Sequence, residues 1–274
     1  MLKHLGVSRS GYNAFLKRKV SRSRQRKEFI KGQILDIYDN SKQNYGAPKI
    51  TKILRDLGII ISQRTVSKYM REMGIRAQWT KPWTTTTRDS DFSSKLHNIL
   101  NEQFNPDRPN AVWCTDITYI WTQEGFVYLN CVMDLYARKI IAWTLAESME
   151  VSTVIETINK ATAVRDTDLP LIIHTDRGSQ YVSDAWFSAT QNMQNSYSHK
   201  GYPYDNACIE SFHALIKREW LDRFNILNYK HAYRLVFEYI ETFYNTVRIH
   251  SHCDYMSPNQ FEKLFDSVSL NPVA

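Results

Sequence analysis

Three acidic residues occupy positions at which a carboxylate could do metal chemistry. Asp116 lies in the middle of the β-rich run NAVWCTDITYIW, where an unpaired carboxylate is costly. Asp176 comes at the end of the strand pattern LPLIIHT and stands two residues before Gly178. Glu210 lies in the helical pattern CIESFHALIKRE, away from the apolar stripe of that helix. Hard divalent cations prefer oxygen ligands, so the three carboxylates together predict a site for two such ions.

Each of these carboxylates also has a structural explanation when it is considered alone. Asp176 close to a glycine is typical of an aspartate that hydrogen-bonds the turn after a strand. The other interpretation is a metal ligand at the carboxyl end of a sheet strand, where open α/β folds place their chemistry. Glu210 in a first helical turn is favoured by the helix dipole. No single motif decides, but the combination of the three favours the metal site.

The elements around these residues predict a mixed α/β fold. The Asp116 strand is followed by a meander of two more strands, and STVIETINKATAV has the spacing of an amphipathic helix. The Asp176 strand, a short helix, a short strand or loop and the Glu210 helix come next. The order β-β-β-α-β-α-β-α indicates a ribonuclease-H-like mixed sheet with crossover helices.

Charge is distributed unequally along the chain. Residues 1–95 contain 21 Lys and Arg against 7 Asp and Glu, whereas residues 96–274 contain 14 against 21. A basic segment of this size is typical of a module that faces a polyanion, and nucleic acid is the commonest one. The acidic remainder would repel DNA unless its carboxylates do something specific, such as binding metal ions.

Two helix-turn-helix patterns in the basic part predict N-terminal all-α modules. In the first, Gly6 marks a turn and Ser8 an N-cap. In the second, Gly58 ends one helix and Ser62 caps the next. A basic second helix after a glycine turn is typical of a helix that reads the major groove of DNA. Its outer face carries the predicted DNA-binding residues Gln63, Arg64, Lys68 and Arg71.

The stretch QWTKPWTTTTRDSDFSS lacks periodicity and is rich in Thr and Ser, which predicts a linker between the basic and acidic parts. Five segments follow from this division. They are a short helix-turn-helix segment (1–27), a helix-turn-helix DNA-binding domain (28–78), the linker (79–104), the core with the three carboxylates (105–227) and a C-terminal helical extension (228–274).

Several other classes of protein do not fit this sequence. No apolar run approaches the ~18 residues of a membrane helix, and the first residues lack the apolar region of a signal peptide. We therefore predict a cytoplasmic protein without a membrane partner. The four cysteines lie far apart and form no C-x-x-C pair, which argues against a disulfide framework or a zinc knuckle.

Four blocks of the sequence carry a resemblance to a known family. In order they are TDITYI, IIHTDRGSQY, KGYPYDNACIESFHALIKRE and YNTVRIHSHCDYMSPNQF. Together they resemble the DDE transposases of the bacterial insertion-sequence family number three, which are related to retroviral integrases, and specifically the downstream-frame (OrfB-type) product. The likeness covers nearly the whole chain. One departure is the 33 residues between Asp176 and Glu210, two fewer than is usual in the family.

The resemblance implies roles for particular residues. It carries the catalytic, metal-binding triad onto Asp116, Asp176 and Glu210. Asp116 would bridge two ions, with Asp176 completing one site and Glu210 the other. Lys217, seven residues after the glutamate, matches the basic position that contacts the DNA end in the family. The implied cofactor is Mg²⁺, with Mn²⁺ as a substitute and two ions per active site.

The resemblance also implies an activity. This is cleavage of the ends of a DNA element to give a 3′-OH, followed by strand transfer of that 3′-OH into DNA through a circularised intermediate. The implied partners are the terminal inverted repeats and target DNA, bound by a homo-oligomer that is nucleoid-associated when it is on DNA. Two alternatives stay open: a non-enzymatic DNA-binding regulator of transposition, and a metal nuclease that cuts without joining.

Overall fold

The computed structural model describes residues 6, 8–17, 20–78, 96–199 and 202–270. The chain divides into two compact units, Met1–Gln78 and Trp79–Ala274. Most of the predicted linker, residues 79–95, and the first helix of the first helix-turn-helix pattern, residues 1–5, lie outside the described residues. Within the described ranges, none of the helices combines the length and the hydropathy that a bilayer span requires.

The first unit is helical. Its helices are α1 (Arg9–Leu16), α2 (Arg22–Asn40), α3 (Ala47–Asp56) and α4 (Gln63–Glu72). Serine hydroxyls cap three of them by accepting a backbone N–H, and these serines are Ser8, Ser21 and Ser62. The boundary predicted between residues 27 and 28 falls inside α2, because Ser21 starts this helix six residues earlier.

The helices of the first unit pack through a small apolar core. Ile34 of α2, Ile50 and Leu54 of α3 and Val66 of α4 are fully buried. Glu72, at the end of α4, forms ion pairs of 2.7 and 3.0 Å with two lysines of α2, Lys27 and Lys31. These contacts hold α4 in place and leave its opposite face in solvent.

The second unit is built on a five-stranded mixed sheet with the strand order β3-β2-β1-β4-β5. The first three strands form an antiparallel meander, whereas β4 and β5 run parallel to β1. The strands are β1 (Val112–Thr122), β2 (Gly125–Asp134), β3 (Lys139–Ala146), β4 (Ile172–Thr175) and β5 (Gln194–Tyr197). The helices are α5 (Val151–Val164), α6 (Asp184–Ala189), α7 (Ala207–Glu219), α8 (Tyr229–Tyr239) and α9 (Pro258–Leu270). This order confirms the predicted ribonuclease-H-like α/β fold.

Both faces of the sheet are covered, and each has its own hydrophobic core. On one face Trp113 and Val132 pack with Ile158 of α5 and Trp186 of α6. On the other face the core is formed with α7 and α8, including Phe212 of α7, Leu129 of β2 and Val236 of α8. Leu100 belongs to this second core, so residues near the end of the predicted linker and the start of the predicted extension both pack against the sheet.

A buried ion pair joins α7 to the chain after α8. Arg248 donates two hydrogen bonds to the carboxylate of Glu219, at 2.7 and 2.6 Å, and both side chains are buried. The hydroxyl of Tyr239 donates a third hydrogen bond to the same carboxylate, at 2.8 Å. This geometry satisfies the buried charges and fixes the C-terminal end of α7.

Candidate active site

Asp116 lies within β1 and Asp176 directly follows the end of β4, at the same level of these two adjacent parallel strands. Cys114 of β1 pairs with His174 of β4, and the ladder between these strands stops there. Each aspartate lies two residues further along its own strand direction, so the two reach the same level of the sheet. Adjacent strands are about 4.8 Å apart. The parallel pairing therefore brings the two carboxylates together where β4 leaves the sheet.

Asp176 also forms the turn that its neighbouring glycine suggested. Its Oδ1 accepts a hydrogen bond of 2.9 Å from the backbone N–H of Gly178. Gly178 has an ordinary backbone conformation (φ −58°), but a Cβ on it would lie only 3.0 Å from the same Oδ1. A side chain at position 178 would therefore crowd the Asp176 carboxylate. The hydrogen bond to the turn does not exclude Asp176 from the candidate site.

Glu210 approaches the two aspartates from α7. Ile209, Phe212 and Ile216 are buried, as the apolar stripe predicted, and Glu210 projects from another side of the helix. Burial raises the pKa of Glu210, and the negative charges of Asp116 and Asp176 raise it further. The three carboxylates thus share one electrostatic environment although they come from β1, the end of β4 and α7.

The donor set of this cluster suits a divalent cation. Its side chains offer only carboxylate oxygens, and a cation among them would remove the mutual repulsion that raises the pKa of Glu210. In the described part of the chain, no three His, Cys, Asp or Glu side chains are already gathered in a way that could hold an ion. The fit to a metal therefore rests on the carboxylate chemistry of the three side chains and on the electrostatic effect of the two aspartates on Glu210.

His213 is a neighbour of this cluster that the sequence alone did not reveal. It lies one turn after Glu210 on α7 and is only 5% exposed. Its Nδ1 is 3.3 Å from Oδ2 of Asp116, while its Nε2 is buried and has no hydrogen-bond partner among the described residues. The i, i+3 spacing from Glu210 is the only sequence signal that could have placed it beside the carboxylates.

We expect replacement of His213 by Phe to slow DNA cleavage about tenfold, because it removes the polar contact of 3.3 Å between Nδ1 and the Asp116 carboxylate, and a tenfold change in rate corresponds to a loss of about 1.4 kcal/mol. His213→Asn should keep most of the activity, since its amide nitrogen can take the place of Nδ1 beside Asp116. His213→Gln, whose amide extends further, serves as the matched control. Cleavage rates of the three variants on one DNA substrate test this, and equal rates for the Asn and Phe variants would contradict it.

Lys217 lies two turns after Glu210, near the end of α7. Its ammonium group is 4.4 Å above the ring of Tyr119, a residue of β1. Burial lowers the pKa of Lys217, whereas the charges of Asp222 and Asp116 act in the opposite direction. The structure therefore brings Lys217 to the side of the carboxylate cluster.

The predicted DNA-binding residues of the first unit lie together on α4. Gln63, Arg64, Lys68 and Arg71 are all exposed. Arg64, Lys68 and Arg71 lie on the side of the helix opposite buried Val66 and Met70, whereas Gln63 is the first residue of the helix, two turns before Met70. This is the arrangement that a helix needs to contact DNA without disturbing its own core.

Two other polar residues, His174 and Asp205, have structural partners. His174 is fully buried, with its Nδ1 2.9 Å from the hydroxyl of Ser196, and burial lowers its pKa to about 4. It is therefore neutral at ordinary pH. Buried Asp205 accepts a 2.6 Å hydrogen bond from the backbone N–H of His199 and so ties the segment before α7 to the end of β5.

Comparison with known proteins agrees with this architecture. Two integrase core domain families match residues 106–203 and 191–258, and an HTH-like domain family matches residues 24–83. The transposase for insertion sequence element IS904 of Lactococcus lactis is 37% identical, over 90% of this chain and 98% of that protein. Transposase InsF for insertion sequence IS3A of Escherichia coli is 34% identical, over 96% of this chain and 92% of that protein. The chain belongs to the IS3 family of insertion-sequence transposases.

This IS3-family chain is therefore a DDE transposase, that is, a polynucleotidyl transferase, and its HTH-like domain implies DNA binding. Family membership also indicates the use of a divalent metal ion. Similar solved structures include the catalytic core domain of BIV integrase, which is 12% identical over 59% of this chain and 99% of that chain, with a TM-score of 0.45. The HTLV-2 integrase catalytic core domain in complex with magnesium is 16% identical over 57% and 97%, with a TM-score of 0.42.

Proposed function

We propose that Asp116, Asp176 and Glu210 bind two Mg²⁺ ions, for which Mn²⁺ can substitute, and that they form the active site for cutting and joining DNA ends. The observation that carries this proposal is the pairing of β1 with β4, which brings Asp116 and Asp176 to one level of the sheet, with Glu210 of α7 close enough for both aspartates to raise its pKa. A cation bound by the three carboxylates would offset the repulsion that the aspartates exert on Glu210.

Cleavage and joining are the same transfer with different nucleophiles. In cleavage, a water oxygen bonds to the phosphorus while the bond to the 3′ oxygen breaks, which leaves a 3′-OH on the element. In joining, that 3′-OH attacks another phosphodiester and displaces its 3′ oxygen. The bound ions would supply stabilisation of the charge on the attacking and leaving oxygens.

The protein's own contribution is to hold its catalytic side chains in fixed positions. Asp116 and Asp176 are fixed at one level by the pairing of β1 with β4, and His213 contacts the Oδ2 of Asp116. The ammonium of Lys217 can bind a phosphate of the DNA end, as the family resemblance implies. Fixed positions of this kind lower the barrier because no group must be reoriented during the reaction.

The test is a cleavage and joining assay with end-labelled duplexes that carry the terminal inverted repeats of the encoding element. We expect a labelled 3′-OH strand and a longer joined strand in Mg²⁺, and neither product in EDTA. Cleaved strands without joined strands would indicate a nuclease that does not join. Binding of the duplex without any product would indicate a DNA-binding regulator.

We also propose that the exposed face of α4 binds the terminal repeats. Removing a lysine or arginine that contacts phosphate should weaken binding at every salt concentration and reduce the slope of log affinity against log salt by about one. We expect this for Arg64→Ala and for Lys68→Ala, measured by fluorescence anisotropy on the repeat duplex.

The control for these variants is Lys52→Ala on α3, whose ammonium forms an ion pair of 2.5 Å with Asp56. This change should leave the slope unaltered. If Arg64→Ala and Lys68→Ala behave like the control, α4 is not the DNA-binding helix. Because an element has two ends that must be processed together, we further propose that at least two copies of the chain act on the DNA.

A further inference from the structure

The hairpin of β1 and β2 continues beyond the Asp116 level and has two different faces. Residues Ile120 and Val127 are buried against the core on one face. On the other face, Tyr119, Trp121 and Phe126 are 42%, 62% and 47% exposed, and we call these three residues the aromatic face. An exposed apolar surface of this kind, formed by large rings on a rigid hairpin, is typical of a binding site.

The rings of the aromatic face form one continuous surface. Trp121 is the cross-strand neighbour of Phe126, and their ring centroids are 4.8 Å apart in an edge-to-face contact. Tyr119 contacts Phe126 in the same manner, at 5.3 Å. These contacts hold the rings in place, so a flat ligand could stack on them with little loss of side-chain freedom.

Lys217 connects the aromatic face with the proposed active site. Its ammonium lies 4.4 Å over the Tyr119 ring and is partly buried, as the lowering of its pKa by burial shows. No carboxylate among the described residues lies within ion-pair distance of it. A partly buried ammonium without a paired anion is suited to bind a phosphate.

Tyr119 is close to Asp116 along β1 but lies on the other face of the strand. The two residues are three positions apart, which is about 10 Å along the strand, and side chains at this spacing point to opposite faces. A DNA strand that contacts both must pass the edge of β1 beyond the point where its pairing with β4 ends. Aromatic rings beside a basic side chain form the usual surface for unpaired DNA, because every base has a face that can stack. A protein partner would explain the rings but would not require the adjacent ammonium.

We propose that the aromatic face stacks an unpaired base of the DNA strand next to the phosphodiester that is cut, while Lys217 binds a phosphate of that strand. This inference rests on the proposed function of the carboxylate cluster. It adds that the end of the DNA must open locally, because a base inside a duplex cannot stack on a protein ring.

Photocrosslinking of the full chain tests the location of the base. Duplexes with the terminal repeat would carry 5-iododeoxyuridine at single positions on either side of the cut site, and crosslinked peptides would be identified by mass spectrometry. We expect crosslinks to Tyr119, Trp121 or Phe126 only from positions next to the cut. Crosslinks at these positions to other residues alone would overturn the proposal.

Paired variants test whether stacking matters for the reaction. Trp121→Leu should reduce cleavage about tenfold, the order of magnitude expected for loss of one stacked base, whereas Trp121→Phe should keep most of the activity. Phe237→Leu is the matched control, because Phe237 on α8 is also 47% exposed and lies outside the aromatic face. Tyr119→Leu is a second test if Trp121→Leu has a lowered melting temperature.

The outcomes separate this inference from the proposed function. If the wild-type chain cleaves and joins DNA but Trp121→Leu and Tyr119→Leu match the control, the stacking proposal fails and the function stands. If the wild-type chain gives no product in Mg²⁺, the proposed function fails. The variants could also self-associate more weakly than wild type and yet cleave DNA at the full rate once they are assembled. In that case the aromatic face is a contact between copies of the chain and the stacking proposal is wrong.

Discussion

An Asp176→Asn variant should cleave DNA ends at least about 1,000-fold more slowly than the wild-type chain and still bind them. Stabilisation of transition-state charge by bound metal contributes several kcal/mol, and each 1.36 kcal/mol corresponds to a factor of ten in rate. An asparagine keeps the size of the side chain and can still accept the hydrogen bond from Gly178, but it lacks the negative charge. Single-turnover cleavage and anisotropy measurements on the same duplex would separate the two effects.

Asp184→Asn is the matched control, because Asp184 is an exposed carboxylate at the start of α6. It should cleave at the wild-type rate. Asp116→Asn and Glu210→Gln should be as inactive as Asp176→Asn. Activity within tenfold of wild type in any of the three would remove that residue from the proposed triad.

An Arg248→Met variant should lose about 3–5 kcal/mol of the free energy of unfolding of the second unit, because it leaves the Glu219 carboxylate buried without its cation. The remaining hydrogen bond from Tyr239 cannot compensate for the charge. Urea unfolding followed by tryptophan fluorescence measures the loss, since buried Trp220 is the next residue after Glu219.

The exposed pair Lys160 and Glu156 on α5 provides the comparison within the same unit. Lys160→Met should cost no more than about 0.5 kcal/mol. The double variant Glu219→Leu, Arg248→Met should recover much of the stability, because no isolated charge remains. If the double variant is as unstable as Arg248→Met, packing and not charge explains the loss.

The secondary-structure positions of the three carboxylates could be predicted from local sequence patterns. A polar residue at the end of an apolar strand pattern predicts a sheet edge, and parallel strands bring such ends together. The patterns placed Asp116 within one strand and Asp176 at the end of another, but only the register of β1 and β4 shows that these strands are neighbours. The apolar stripe of α7 likewise separated Glu210 from the core side of that helix.

Contacts between distant segments could not be predicted in this way. His213 meets Asp116 only because α7 crosses β1, and Arg248 meets Glu219 across 29 residues of sequence. Strand β5 was predicted only as a strand or loop, because its sequence is polar. Its buried Ser196 is satisfied by backbone N–H groups of Ile99 and Leu100, which lie almost 100 residues earlier.

Helix α7 carries two glutamates whose surroundings are opposite. Glu219 has a cation and a hydroxyl directed at its carboxylate, whereas Glu210 has two further negative charges near it. On the proposed function, like charges repel one another near the N-terminal end of α7, where the chemistry occurs. The ion pair of Glu219 stabilises the C-terminal end of the same helix. If the three carboxylates bind a divalent ion, that ion is a ligand of the folded second unit as well as a cofactor, and raising its concentration should stabilise this unit.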